Sequence, residues 1–325
     1  MIINTFNPFS ELCIHRKLAY NYTLQTLVAY YIIKYINRDL RGGGAMREKD
    51  SQRIIYPVIF ILIPCILGII GMVSEEVSVV IWIQNLLIIF LSTFVSIFAL
   101  KYNFKFNYKI IMFVSIFSLG LTFLGPNIDG VHRWLRLPFF TLNISTIVIP
   151  ITIVAIYRLI EEKNFVIPVM GIIVVAFLLF LQPDASQLLA FSFPMSILLI
   201  KSNISQIIKG SFSAILFFLT LKSWFCLDTL QPVNYTEGVL RMLNDLSVVL
   251  YIIGIVALLW IPIYFLISSI SKNRNICIGI ALYYWLMILS TFIGNFPVPF
   301  MGYGISPILG YYIFLIWFIN EAKNI

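Results

Sequence analysis

Uninterrupted apolar runs recur from residue 54 to residue 320, each about 17–25 residues long and so able to cross a hydrocarbon core of about 30 Å. No other feature of this chain restricts its fold as much. In lipid every backbone amide must find its partner inside the protein, which leaves only helices and closed barrels. The runs are continuous rather than alternating, so they are read as helices. Composition agrees: 60% of the 325 residues are hydrophobic and 11% are charged, against about 25% charged in soluble domains. The expected fold class is all-α, a polytopic membrane protein with about ten transmembrane helices. The expected spans are 54–73, 77–100, 107–124, 143–160, 165–182, 184–201, 208–224, 247–270, 276–293 and 305–320.

The net charge of +8 is a topology signal rather than a nucleic-acid footprint. With the N-terminus inside, the clusters Arg47/Lys49/Arg53, Lys101/Lys105/Lys109, Arg158/Lys163, Lys201/Lys209 and Lys272/Arg274 all fall on one side. That side is the cytoplasm by the positive-inside rule, and both termini then lie there. Only Arg133, Arg136, Lys222 and Arg241 fall outside. No cleavable signal peptide is expected, because the first apolar stretch is short and lacks a small-residue cleavage site. Cys13, Cys65, Cys226 and Cys277 are scattered, which suggests neither a metal site nor a disulfide framework.

Residues 1–45 stand apart as an extension to the 46–325 membrane domain. Leu24, Leu27, Val28, Tyr31 and Tyr35 recur at helical spacing within 19–36, a pattern suited to an interfacial helix. The triple glycine 42–44 precedes Met46, which offers a second start.

The unusual segments all collect on the outer side: GPNIDGVHRWLRLP (125–138), LQPDASQ (181–187), LQPVNYTEGVLRMLND (230–245) and GNFPVPFMGYGISP (294–307). Each supports two readings. Arg133, Trp134 and Arg136 suit an aromatic and basic interfacial belt. Equally, two arginines placed outside against the charge rule suit a phosphate or diphosphate, which the guanidinium fork matches. Asp184 is a natural helix N-cap and, by the same placement, a site residue. Glu237, Arg241 and Asp245 share a face if the segment is helical; the spacing favours an i,i+4 ion pair over a general base at the lip of a cavity. Backbone-breaking content around Phe300 and Tyr303 at membrane depth belongs where it is buried in protein or lines a cavity.

Taken in order, these segments resemble the SEDS family (FtsW, RodA and SpoVE) along residues 46–325. The family's N-G-A-x-R-W-I is matched by Asp129-Gly130-Val131-His132-Arg133-Trp134-Leu135, and its Q-P-D-x-G-T by Gln182-Pro183-Asp184-Ala185-Ser186-Gln187. P-x-P-F-x-S-Y-G-G-S is matched by the run from Pro297 through Pro299, Phe300 and Tyr303 to Ser306. P-E-x-H-T-D-F falls on Pro232–Gly238 and places Glu237 on the family's essential acid, which turns the balance for this residue toward the general base.

The resemblance implies a peptidoglycan glycosyltransferase that polymerises lipid II, an undecaprenyl-diphosphate substrate, on the outer face of the bacterial cytoplasmic membrane. It implies a class B penicillin-binding protein as partner, besides membrane lipids, and a role in cell shape, division or sporulation. Glu237 would deprotonate the acceptor hydroxyl. Substrate binding would fall to Arg133, Trp134, Arg136, Gln182, Asp184, Pro299, Phe300 and Tyr303, with the diphosphate leaving toward the two arginines. No cofactor is required, although a divalent cation could assist. The chain departs from the family where Q-P-S-E-x-x-K becomes Asn143-Ile144-Ser145-Thr146-Ile147-Val148-Ile149, without the acid and the lysine. Two further readings therefore stand beside the enzyme: a non-catalytic homologue that organises wall-synthesis partners, and a transporter of lipid-linked precursors.

Overall fold

The computed structural model describes residues 48–325 apart from 100, 101, 103, 139, 163, 164, 269–272, 324 and 325. The chain divides into two units, Met1–Ile55 and Tyr56–Ile325, and apart from the start of the first described helix everything below lies in the second. The 19–36 segment and Cys13 lie outside the described residues.

Among the described residues eleven α-helices follow one another: α1 (Glu48–Ser74), α2 (Val79–Ala99), α3 (Tyr108–Leu121), α4 (Ile144–Glu161), α5 (Val166–Leu181), α6 (Ala185–Lys201), α7 (Gln206–Phe225), α8 (Val239–Leu246), α9 (Val248–Ile267), α10 (Arg274–Ile293) and α11 (Ser306–Lys323). Every expected span coincides with one of them, and α8 is the addition. Among the described residues six helices are long and apolar enough to cross a membrane, namely α1, α2, α4, α7, α9 and α10; α3, α5 and α6 are shorter apolar helices. The chain is a polytopic helical membrane protein.

α4 is the axis of the fold. Its sequence, ISTIVIPITIVAIYRLIE, is apolar all round, the pattern of a helix enclosed by others. In its most apolar stretch 83% is buried inside the protein, against 17% for α7. α4 packs on α3 and α11 and also meets α5, α6 and α10. Contact with α11 depends on Gly310, where a Cβ would stand 2.1 Å from the Thr146 carbonyl oxygen. Small residues that let backbones meet are how helices pack tightly in lipid, where no hydrophobic force drives them together.

One element departs from the all-α expectation. Strands β1 (Trp134–Arg136) and β2 (Thr141–Asn143) form an antiparallel hairpin that pairs Trp134 with Asn143 and Arg136 with Thr141. It leads straight into α4, whose N-cap is the Asn143 side chain, accepting from the Thr146 amide at 3.4 Å. Far from this end, at about 1.5 Å per residue, α4 carries a second polar group. Arg158 there pairs with Glu161 and Glu321, each at 2.8 Å, donates to Asn273, and lies 5.7 Å from the Trp317 ring centroid.

Candidate active site

The hairpin's alternation decides what its two arginines do. Arg133 directly precedes β1, and its carbonyl accepts from the Ile144 amide at 3.3 Å; successive extended residues point to opposite sides, so positions 133 and 136 face apart. Arg133 is buried and Arg136 is exposed, and the structure does not bring them together as a pair. Arg133 donates through Nη2 to the Pro183 carbonyl and to Asp228 Oδ2. Its Nε is 3.9 Å from Asp184 Oδ2 and has no hydrogen-bond partner. The guanidinium also lies 6.0 Å from the Trp134 ring centroid.

Asp184 is the helix N-cap that its position suggested, and the same placement sets it beside Arg133. As N-cap of α6 it accepts from the Gln187 amide at 3.3 Å, and its other oxygen faces Arg133 and accepts from Ser145 Oγ at 3.0 Å. The same Ser145 hydroxyl lies 2.6 Å from Asn143 Oδ1 and shares its one hydrogen between the two oxygens. The capped ends of α4 and α6 and the start of the 226–238 loop therefore converge on one buried arginine. A buried cation needs carboxylates or carbonyls around it, and here it has both.

Glu237 does not belong to α8, which corrects the shared-face expectation for Glu237, Arg241 and Asp245. Gly238 is the N-cap of that helix. Glu237 precedes it and folds back, so that Oε2 accepts from the Val233 amide at 2.7 Å. Arg241, exposed on α8, donates to Asn234 Oδ1 at 2.8 Å. No i,i+4 ion pair forms between them among the described residues. Burial holds the Glu237 carboxyl above its ordinary value; the Val233 amide and the charge of Arg133 lower it, and that of Asp228 raises it. This half-buried carboxylate, held above its ordinary value, is a stronger base than a free one, as a general base requires.

No protein-family model matches the chain, and no curated protein sequence is similar to it. Its fold matches two crystal structures of the rod shape determining protein RodA of Thermus thermophilus, one of them an aspartate-to-alanine mutant. Over 82% of this chain and 96% of each RodA chain, the TM-scores are 0.63 for the mutant and 0.61 for RodA itself, at 16% sequence identity. This chain has the RodA fold. A third match comes from a structure of a peptidoglycan synthase complex that coordinates polymerization and crosslinking, at TM-score 0.59 and 15% identity over 82% of this chain and 97% of that one. At such identities the likeness is one of fold, which is the SEDS fold that the motifs suggested.

Within this RodA fold the 294–307 segment supports the Glu237 segment from behind. Val298 donates to the Thr236 carbonyl at 3.1 Å, and Tyr303 donates to that of Tyr235 at 2.8 Å. The Tyr235 and Tyr303 rings meet edge to face at 5.9 Å. A Cβ on Gly302 would stand 2.3 Å from the Thr236 oxygen, so only glycine permits this approach. We expect Gly302→Ala to push the 233–237 segment off its support and to lower stability by about 1–3 kcal/mol, as overpacking does. Thermal unfolding in detergent measures it, and a parent-like midpoint would show that the two segments need not touch.

Other expected site residues face inward. Gln182 is fully buried and donates through Nε2 to the Leu119 carbonyl at 2.9 Å and to Thr122 Oγ1 at 2.8 Å, tying the end of α5 to that of α3. Pro299 is buried. Phe300, at φ 65°, packs between Tyr284 and Tyr311 with ring centroids 5.6 Å from each. Among the described residues no group of three or more His, Cys, Asp or Glu is placed to hold a metal ion. The residue that sequence reasoning missed is Asp228, for which no spacing or motif gives a signal.

Proposed function

We propose that this chain polymerises lipid II on the outer face of the bacterial cytoplasmic membrane, alongside a class B penicillin-binding protein. The observation that carries this reading is the Glu237 carboxyl, raised by burial and within reach of the charge of Arg133. The RodA fold and the four outer motifs support it. In the proposed step the acceptor sugar hydroxyl attacks the anomeric carbon of the donor and Glu237 takes its proton. The bond from that carbon to the diphosphate breaks, and the undecaprenyl diphosphate leaves with the electron pair. Exposed Arg136, beside Trp134, is the guanidinium open to that diphosphate, where fixed positive charge contributes most as the oxyanion separates. Arg133 and Asp184 hold the surrounding ends in place, and Tyr303 supports the base from behind.

A second reading has its own observation. The positions of the family's missing acid and lysine are Thr146, whose hydroxyl donates to the Asn143 carbonyl at 2.9 Å, and Ile149, which is fully buried. Such a site, lacking those two charges, suits a homologue that organises wall-synthesis partners without chemistry. Purified protein incubated with lipid II, with and without a class B penicillin-binding protein, separates the two. Glycan strands are expected on the first reading; their absence in both conditions overturns it.

A further inference from the structure

We propose that Asp228 is a positioning residue for Glu237: its ion pair with Arg133 fastens the start of the 226–238 loop to the Arg133–Asp184 cluster and so fixes where the carboxylate stands. This rests on the reading of Glu237 as the base.

The argument begins with the loop itself. Between α7 and α8 the chain has neither helix nor strand, and from Phe225 to Asn234 every residue except Asp228 and Leu230 is exposed. Such a segment has little apolar contact to hold it, and segments of that kind open most readily. At Asp228 it turns inward, and there one carboxylate oxygen takes Arg133 and the other accepts from the Leu230 amide at 3.2 Å. At its far end the loop is held by the bonds from Val298 and Tyr303. Glu237 thus sits on a span pinned at two points, and Asp228 is the pin that ties it to α4 and α6.

The same pair sets the field at Glu237. Arg133 and Asp228 both act on it, with opposite sign, and Arg241 donates to Asn234 Oδ1. Removing the Asp228 charge leaves Arg133 less opposed, so Glu237 gives up its proton at lower pH.

Asp228→Asn keeps the side-chain volume and removes the charge. For polymerisation of lipid II it is expected to lower kcat by on the order of a hundredfold, as a misplacement of about 1 Å can do. KM should change little, and the acid limb of the pH–rate profile should move to lower pH. Asp228→Glu should return the limb to its parent position. A mere loss of packing would lower activity without moving the limb, and a D228N enzyme with parent kcat and parent profile overturns the proposal.

Amide hydrogen exchange supplies a readout independent of activity. In D228N the amides of residues 230–237 should exchange faster than in the parent; unchanged rates overturn the pin. If the parent forms no strands, the proposed reaction fails, and these rates still decide the positioning. If D228N does not fold, the parent carries the test alone: its Leu230 amide should exchange more slowly than those of Leu227 and Thr229, and equal rates overturn the proposal.

Discussion

Glu237→Gln is expected to abolish strand synthesis and, in the same protein, to raise the unfolding midpoint at pH 7. The two effects share one cause. A positioned general base contributes about 10²–10⁴-fold in rate, and the amide of Gln cannot take the acceptor's proton. Burial also raises the proton affinity of Glu237 in the folded chain, so the folded state holds this proton more tightly than the unfolded state does. The stability this group contributes is therefore full below its unfolded value of about 4.3 and is lost as pH rises through the folded value. Above the folded value the parent's carboxylate is ionised at a cost to folding; Gln removes that cost and can still accept from the Val233 amide. The gain in midpoint should vanish when both proteins are compared below about pH 4. Glu237→Asp, one methylene shorter, should keep chemistry but lose on the order of a hundredfold, because its oxygen no longer reaches the same place. Strand synthesis by E237Q at the parent rate would remove Glu237 from the mechanism. An unchanged midpoint at pH 7 would show that burial does not strain it.

The helices were legible because each span is a long apolar run, and lipid leaves such a run one way to satisfy its backbone. Local caps were legible too: Asp184 sits directly before α6, and the side chain that reaches back to Gln187 is close in sequence. What could not be read were the pairings across distance. Arg133 and Asp228 are 95 positions apart, and no periodicity links an acid in a loop to an arginine in a hairpin. The hairpin itself is three residues a side, too short for alternation to emerge, so the opposite facing of Arg133 and Arg136 stayed hidden. Glu237 and Arg241 have the spacing of an ion pair, but Gly238 starts the helix one residue too late for Glu237 to join it. Phe300 belongs to a motif that allowed either burial in protein or a cavity wall, and its large ring went to the aromatic cluster between Tyr284 and Tyr311.

Arg158→Ala is expected to lower stability by about 3–5 kcal/mol, the cost of stripping the partner from a buried charge. Glu321 decides that magnitude, since its side chain is 17% exposed and would keep a carboxylate with no cation beside it. Glu161 adds little, because at 38% exposed it can turn to water. Tyr108 would also lose order, as its hydroxyl joins Glu321 at 3.2 Å to the Trp317 indole at 3.3 Å. Arg158→Met with Glu321→Gln, which removes both charges together, should recover most of the loss, and thermal unfolding of the three proteins measures it. Equal midpoints for R158A and the parent would mean that the cluster holds nothing together. The same residues bear on transport as a function. Arg158 on α4, Asn273 before α10 and Glu321 on α11 tie three elements together at the end of α4 opposite the Arg133 cluster. A carrier that opened to both faces would have to take this cluster apart in every cycle and expose the buried Arg158 each time. A polymerase that works from one face needs it closed, so disrupting Arg158 should destabilise the protein without creating passage for lipid-linked precursors through vesicles.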